Sequence, residues 1–167
     1  METKYDAAMN RIRFKYVPQK TQRQPTEADI ENLERTLGYS LPPDYRTFLA
    51  KYGLSTGSGI VHFGNLDDPD EEESSVGVFF GVQPGDSRNL LNQRSACVEV
   101  LDFPAHMLPI ADGPGGMFVI ALAGPGVRRI FGSNIPDEPT DFELIAYDFD
   151  RFINSLKLVE DWEAGRA

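Results

Sequence analysis

The sequence has a single cysteine and no long apolar run. Cys97 stands alone, which excludes a disulfide within the chain and any metal site that needs several cysteines. No apolar stretch approaches the ~20 residues of a membrane-spanning helix, and the charged first residues lack the apolar segment and cleavage site of a signal peptide. We therefore expect a cytoplasmic protein without a membrane partner.

Basic charge is scarce and unevenly placed. The chain has 16 Lys and Arg against 26 Asp and Glu, a net charge of −10. Residues 1–24 carry a net charge of +4, so the remainder carries −14. Such a body repels DNA and RNA, because phosphate binding needs clustered Lys and Arg. We expect no nucleic-acid partner; the acidic surface either keeps the protein soluble or attracts a basic protein.

One domain with a hydrophobic core is the simplest organisation for this chain. Its 167 residues, 41% of them hydrophobic, are enough to bury a core and too apolar for a disordered chain. We predict residues 1–24 as an N-terminal extension and linker, residues 25–162 as the folded domain and residues 163–167 as a tail. The extension is expected to contain an amphipathic helix. Its apolar face would consist of Tyr5, Ala8, Met9 and Ile12.

The clearest local pattern is a pair of helices joined by a tight corner. Thr26 and Asp29 have the spacing of a capping box, which predicts that a helix begins there, and Gly38 is placed to end it in a left-handed conformation. Pro43 suits the first turn of a second helix, where its missing N–H costs no hydrogen bond. The apolar face of this second helix would consist of Tyr45, Phe48, Leu49 and Tyr52.

Short strands are predicted for much of the remaining chain. Five segments rich in β-branched and aromatic residues fit this pattern: 59–63, 76–82, 117–122, 127–131 and 142–147. Asp86 is expected to cap a helix over residues 87–94, residues 96–101 fit either helix or strand, and Asp148 is expected to begin a final helix. These elements predict the α+β class, as a single domain with a mainly antiparallel twisted sheet flanked by N-terminal and C-terminal helices.

Four blocks, in order along the chain, resemble those of a known family. They are "LGYSLPPDYRTFLAKYG" (37–53), "FFG" (79–81), "MLPIADGPGGMFVIAL" (107–122), and "VRRIFGS" (127–133) followed by "DFDRFINSL" (148–156). In this combination the chain is similar to the SUKH superfamily, in its Smi/Knr-type members. It lacks the Asn-Gly-Gly that usually follows the second helix and the Trp that often follows the penultimate strand. The resemblance therefore implies the fold and leaves the partner open.

The resemblance implies a non-enzymatic protein that acts by binding other proteins. Bacterial members of the superfamily resemble immunity proteins, which neutralise toxins, often nucleases, of contact-dependent or polymorphic toxin systems. Fungal relatives are linked to cell-wall assembly and signalling through protein contacts. Two hypotheses follow: an immunity protein with a cognate toxin, or a regulatory interaction module unrelated to toxins.

The strongest candidate for a binding surface is the acidic run "DDPDEEE" (67–73). It could imitate nucleic-acid phosphates and occupy the basic groove of a nuclease toxin, since complementary charge speeds association and restricts the choice of partner. The alternative is a solvated acidic loop between strands; a calcium loop is disfavoured because the alternating ligands and central Gly are missing. The partner-binding residues of this hypothesis are Asp67, Asp68, Asp70, Glu71, Glu72 and Glu73.

No other residues have the pattern of a catalytic, cofactor or metal site. His62 and His106 lack the spacing of metal ligands, and Cys97 lies among apolar neighbours as an inert buried thiol. The glycines of "DGPGG" (112–116) precede a strand and predict a turn, not a phosphate loop. Trp162 either packs the final helix or contacts a partner. We therefore predict no catalytic residues, no cofactor and no metal.

Overall fold

The helices begin where the chain supplies side chains or prolines suited to a first turn. The computed structural model describes residues 2–16, 24–63, 72–83, 86–114, 116–134, 138–158 and 160–161. Five helices lie within these ranges: α1 (Asp6–Arg11), α2 (Glu27–Leu37), α3 (Pro43–Tyr52), α4 (Leu90–Leu101) and α5 (Phe149–Ser155). The last begins at its expected cap, because the Asp148 carboxylate accepts from the Arg151 backbone N–H at 2.8 Å.

The corner between α2 and α3 confirms the prediction from its capping residues. The Thr26 hydroxyl accepts from the Asp29 backbone N–H at 3.3 Å, and the Asp29 carboxylate accepts from the Thr26 N–H at 2.7 Å. Gly38 ends α2 with φ +78°, a conformation that costs glycine little. Pro43 opens α3, and the apolar face of that helix is buried at Tyr45, Phe48 and Leu49.

The start of α4 differs from its prediction. Asp86 does not cap it; its carboxylate instead accepts from the backbone N–H and the guanidinium of Arg88, at 2.9 Å and 2.8 Å. The cap is Asn89, whose extended backbone lets its side chain accept from the Asn92 N–H. Both residue types favour caps, so local sequence alone does not choose between them. Residues 96–101, open between helix and strand, are helical.

Within the described residues, seven strands form one sheet in chain order, with every neighbouring pair antiparallel. The strands are β1 (Lys15–Tyr16), β2 (Ser55–Phe63), β3 (Glu72–Phe79), β4 (Met107–Gly113), β5 (Gly116–Ala121), β6 (Ile130–Asn134) and β7 (Glu138–Ala146). Strand β6 begins later than predicted, because residues 127–129 form a turn in which Arg128 has φ +73°. Strands β1 and β4 were not predicted. The α+β class and the antiparallel sheet with helices at both chain ends are confirmed.

The core lies on both faces of the sheet. Phe118 and Ile120 of β5 pack in the larger cluster with α1, α2, α3 and α5, whereas Val119 and Ala121 pack in a smaller cluster with Cys97 of α4. This alternation follows from the two-residue period of a strand. The strand is therefore apolar on both sides.

Helix α1 is fastened to the larger cluster. The four residues expected to form its apolar face are all buried: Tyr5, Ala8, Met9 and Ile12. The Tyr5 ring packs edge-on against Phe48 and Phe149, and its hydroxyl donates to the Asp150 carboxylate. The position of the boundaries at residues 24/25 and 162/163 stays a prediction, and Trp162 and residues 163–167 lie outside the described residues.

Candidate functional site

The described part of the acidic run lies at the start of β3. Strand β2 ends at Phe63 and β3 begins at Glu72; Glu72 pairs with Phe63, and Glu73 with His62. Glu72 and Glu73 are therefore part of a paired strand, and a loop between strands stays a prediction for the rest of the run. Its first four acidic members, Asp67, Asp68, Asp70 and Glu71, lie outside the described residues.

The sheet topology directs further acidic residues toward the same end of the sheet as Glu72 and Glu73, with Asp112 set back from that end because it pairs with Val78 of β3. Strands β2, β4 and β6 run in one direction, so the connections β2–β3, β4–β5 and β6–β7 all lie at one end of the sheet. Asp112 lies next to the end of β4, and β7 carries Glu138 and Asp141 in its first half and Glu143 just past its midpoint. We call this set the acidic end: Glu72, Glu73, Asp112, Glu138, Asp141 and Glu143.

Basic residues are absent from all the strands that form the acidic end. The sequence has no Lys or Arg between Lys51 and Arg88, nor between Arg129 and Arg151. The basic residues between residues 52 and 150 are Arg88, Arg94, Arg128 and Arg129. Arg88 precedes α4, and Arg128 and Arg129 lie in the β5–β6 connection at the opposite end of the sheet. Charge is therefore segregated along the strand direction.

The side chains of the acidic end that the structure describes are available to a partner. Asp141 and Glu143 are exposed, whereas Asp112 is half-buried and burial raises the pKa of its carboxyl. The run at 67–73 was evident from sequence. Asp112 was missed because it stands apart from other acids in the chain. Asp141 and Glu143 were missed although residues 137–143 hold four acidic residues in seven. The signal that could have found them is the lack of Lys and Arg around them, combined with the meander of strands.

The other residues considered from sequence have structural roles or no described side chain. Cys97 is buried, its Sγ lies 3.3 Å from Met117 Sδ, and burial raises the pKa of its thiol to about 11. The expectation of a buried thiol is confirmed, and its inertness stays a prediction. His62 lies in β2, and the His106 carbonyl accepts from the Leu122 N–H at 2.8 Å. Within the described ranges, no three His, Cys, Asp or Glu residues are grouped to hold a metal ion.

The glycines of residues 112–116 form the expected turn. Gly113 of β4 pairs with Gly116 of β5, which has φ +142°. A Cβ on Gly113 would lie 1.7 Å from the Ser75 carbonyl oxygen, so glycine is required there by the close approach of β3. The turn reading is confirmed.

A groove of about 560 Å³ lies between α2 and α3. Its basic residues are Arg46 and Lys51. Arg46 donates to the carboxylates of Glu27 and Glu34, and Lys51 Nζ lies 3.0 Å from Asp6 Oδ2. Since both cations are engaged by carboxylates of the same chain, the groove does not present them to an anionic ligand. In the described part of the chain, no helix is long and apolar enough to cross a membrane.

Comparisons with known proteins identify relatives of the whole domain. The model of the SMI1 / KNR4 family (SUKH-1) matches residues 24–155. The SPbeta prophage-derived uncharacterized protein YokK of Bacillus subtilis (strain 168) is 26% identical over 148 residues, which cover 78% of this chain and 74% of the relative.

Proposed function

The chain belongs to the SMI1 / KNR4 family (SUKH-1), and we propose that it is a non-enzymatic immunity protein that binds and neutralises a cognate toxin of a polymorphic or contact-dependent toxin system. Its partner is a protein with a basic surface, such as a nuclease toxin. Inhibition follows from occlusion: the bound immunity protein covers the surface with which the toxin engages its substrate. The site of action is the cytoplasm.

The observation that carries this proposal is the segregation of charge. Within the described residues, the strands that lead into and out of three connections at one end of the sheet carry acidic residues and no Lys or Arg. A nuclease must present cations to the phosphates of its substrate, so an acidic surface complements it. Electrostatic attraction of this kind raises the association rate and disfavours wrong partners. The prophage-derived relative supports a role in conflict between genetic elements.

Co-purification from native cells tests the proposed function. The tagged protein is captured and its partners are identified by mass spectrometry. Recovery of a toxin domain at near-equal stoichiometry supports the proposal, and addition of the protein should abolish that toxin's activity in vitro. Recovery of regulatory or cell-wall proteins, without a toxin, would replace it with the regulatory interaction module.

Charge removal from the acidic run tests the recognition surface. We expect the variant D70N/E71Q/E72Q/E73Q to associate with the recovered toxin more slowly, with a weaker dependence of the rate on salt, because the long-range attraction is reduced. Stopped-flow measurements at several NaCl concentrations provide both quantities.

The matched control removes the same number of charges elsewhere. Glu2, Glu31, Glu160 and Asp161 are exposed and lie outside the acidic end, so E2Q/E31Q/E160Q/D161N should retain most of the association rate. Equal rates for the two variants at low salt would show that net charge, and not the acidic run, governs the encounter.

A further inference from the structure

Strand β7 ends the sheet and leaves one edge without a paired strand among the described residues. Its nine residues, Glu138–Ala146, pair with β6 on one side. Strand β2 contacts β7, but no strand pairing between them is found in the described ranges. Where β2 does not approach it, the outer side of β7 therefore offers its N–H and C=O groups as a template for another extended chain. Pro139 has no N–H, so the usable template begins at Thr140.

The side chains of β7 decide which kind of chain fits this edge. Asp141 and Glu143 are exposed on one face of the strand, and Phe142 and Leu144 are half-buried on the other. A second copy pairing antiparallel about Phe142 would place Asp141 directly opposite Glu143. Like charges at opposed positions destabilise a strand pair, and inserted charges are a common protection of edges against self-association.

We propose that the outer edge of β7 receives an extended basic segment of the partner protein as an additional strand. Lys or Arg at alternate positions of that segment face Asp141 and Glu143, and apolar residues between them pack beside Phe142 and Leu144. The backbone ladder supplies adhesion, and the alternating side chains supply selectivity. This inference rests on the proposed function, which it deepens by naming the form of the partner's contact.

A model peptide tests the edge without requiring the partner. The probe is an acetylated, amidated peptide of alternating Lys and Val, about nine residues long to match a typical strand. Hydrogen exchange of the ¹⁵N-labelled full-length protein is followed by NMR with and without peptide. With saturating peptide, we expect the outward-facing amides among Thr140–Ala146 to exchange at about one tenth of their rate in the free protein, or more slowly. The reason is that they become hydrogen-bonded to the added strand.

Two control peptides separate strand addition from charge attraction alone. A peptide of alternating Glu and Val should give no protection. The Lys–Val peptide methylated at every backbone nitrogen keeps its charge. Its methyl groups remove the peptide donors and block the close approach of its backbone to β7, so it too should give none. Protection of Thr140–Ala146 by the methylated peptide, or absence of protection by the unmethylated one, overturns the proposal.

Protein variants place the effect on β7. D141K/E143K should abolish the protection given by the Lys–Val peptide, whereas E31K/E160K, which changes the same charge at exposed positions elsewhere, should keep it. The outcome is independent of the proposed function. A toxin that binds with no protection at β7 overturns the inference and leaves the immunity role standing. If the peptide protects β7 but no toxin is recovered from cells, strand addition at β7 is supported and the immunity function is rejected.

Discussion

Two aspartates have carboxyl pKa values displaced in opposite directions. Asp6, at the start of α1, accepts hydrogen bonds from the Tyr52 hydroxyl and from Lys51 Nζ, which lower the pKa of its carboxyl. Asp112, in β4, is half-buried, and burial raises the pKa of its carboxyl. Folding therefore favours the charged form of Asp6 and disfavours that of Asp112. The two aspartates should therefore contribute to the free energy of unfolding with opposite signs, which can be tested in one protein.

We predict that Asp6→Asn lowers the free energy of unfolding at pH 7. The stabilisation that Asp6 provides is fully present above the ordinary aspartate pKa of about 4 and is lost as pH falls through the lowered pKa of the folded state. The difference between the natural protein and the variant should thus be constant near neutrality and shrink in acid. Urea denaturation from pH 7 down to pH 3 measures it.

Asp112→Asn is expected to have the opposite sign. The penalty from a raised pKa is absent below about pH 4 and grows as pH rises through the folded-state value. The variant should therefore be more stable than the natural protein at pH 7 and equal to it in strong acid. A loss of stability at pH 7 would mean that the carboxylate makes a stabilising contact that outweighs its burial.

At the residue scale, the sequence predicted the features determined by neighbouring residues. The capping box of Thr26 and Asp29 and the left-handed Gly38 involve atoms a few positions apart, so pattern and structure agree. The cap of α4 was misplaced because Asp86 and Asn89 are both capping types. The choice of Asn89 depends on the pairing of Asp86 with Arg88 and on the bridge between Gly81 and Asn89.

At the scale of elements, α1 is part of the core although the family match begins at residue 24. Met9 is fully buried and the neighbouring Asn10 is exposed. We expect Met9→Ala to lower the free energy of unfolding by about 2–5 kcal/mol, because it leaves a cavity beside the aromatic cluster.

The control for α1 is Asn10→Ala, which should change stability by less than about 0.5 kcal/mol because the side chain is at the surface. Denaturation curves of the two variants, read by far-UV circular dichroism, give the comparison. Similar small effects for both would indicate that α1 is a detachable appendage in solution.

Two strands, β4 and β1, were not predicted because they form through pairing with residues distant in the chain. Strand β4 contains Pro109 and ends in Asp112 and Gly113, a composition that favours turns. It is a strand because it pairs with β5 along its length and buries Leu108 and Ile110. Strand β1 has only two residues and exists through its pairing with Ser55 and Thr56. Long-range pairing of this kind is not present in local sequence patterns.

At the scale of the whole molecule, the acidic end is a property of topology. The register of β4 to β7 places Asp112 at the level of Phe142, which lies between Asp141 and Glu143 in the chain. Three strand spacings of about 4.8 Å separate β4 from β7, a distance of roughly 14 Å. At 0.01 M salt the Debye length is about 30 Å, so these carboxylates repel one another at low ionic strength.

Salt should therefore stabilise the protein. With a net charge of −10 and many of its carboxylates gathered at one end, screening relieves more repulsion than it weakens attraction, since exposed ion pairs such as Lys4–Asp150 are each worth only about 0–1 kcal/mol. We expect the free energy of unfolding to rise between low and moderate NaCl. The rise should be smaller in D141N/E143Q than in E31Q/E160Q, because only the first variant removes negative charges from the acidic end. Urea denaturation at several NaCl concentrations checks both expectations, and a fall in stability with salt would show that the engaged pairs outweigh the repulsion.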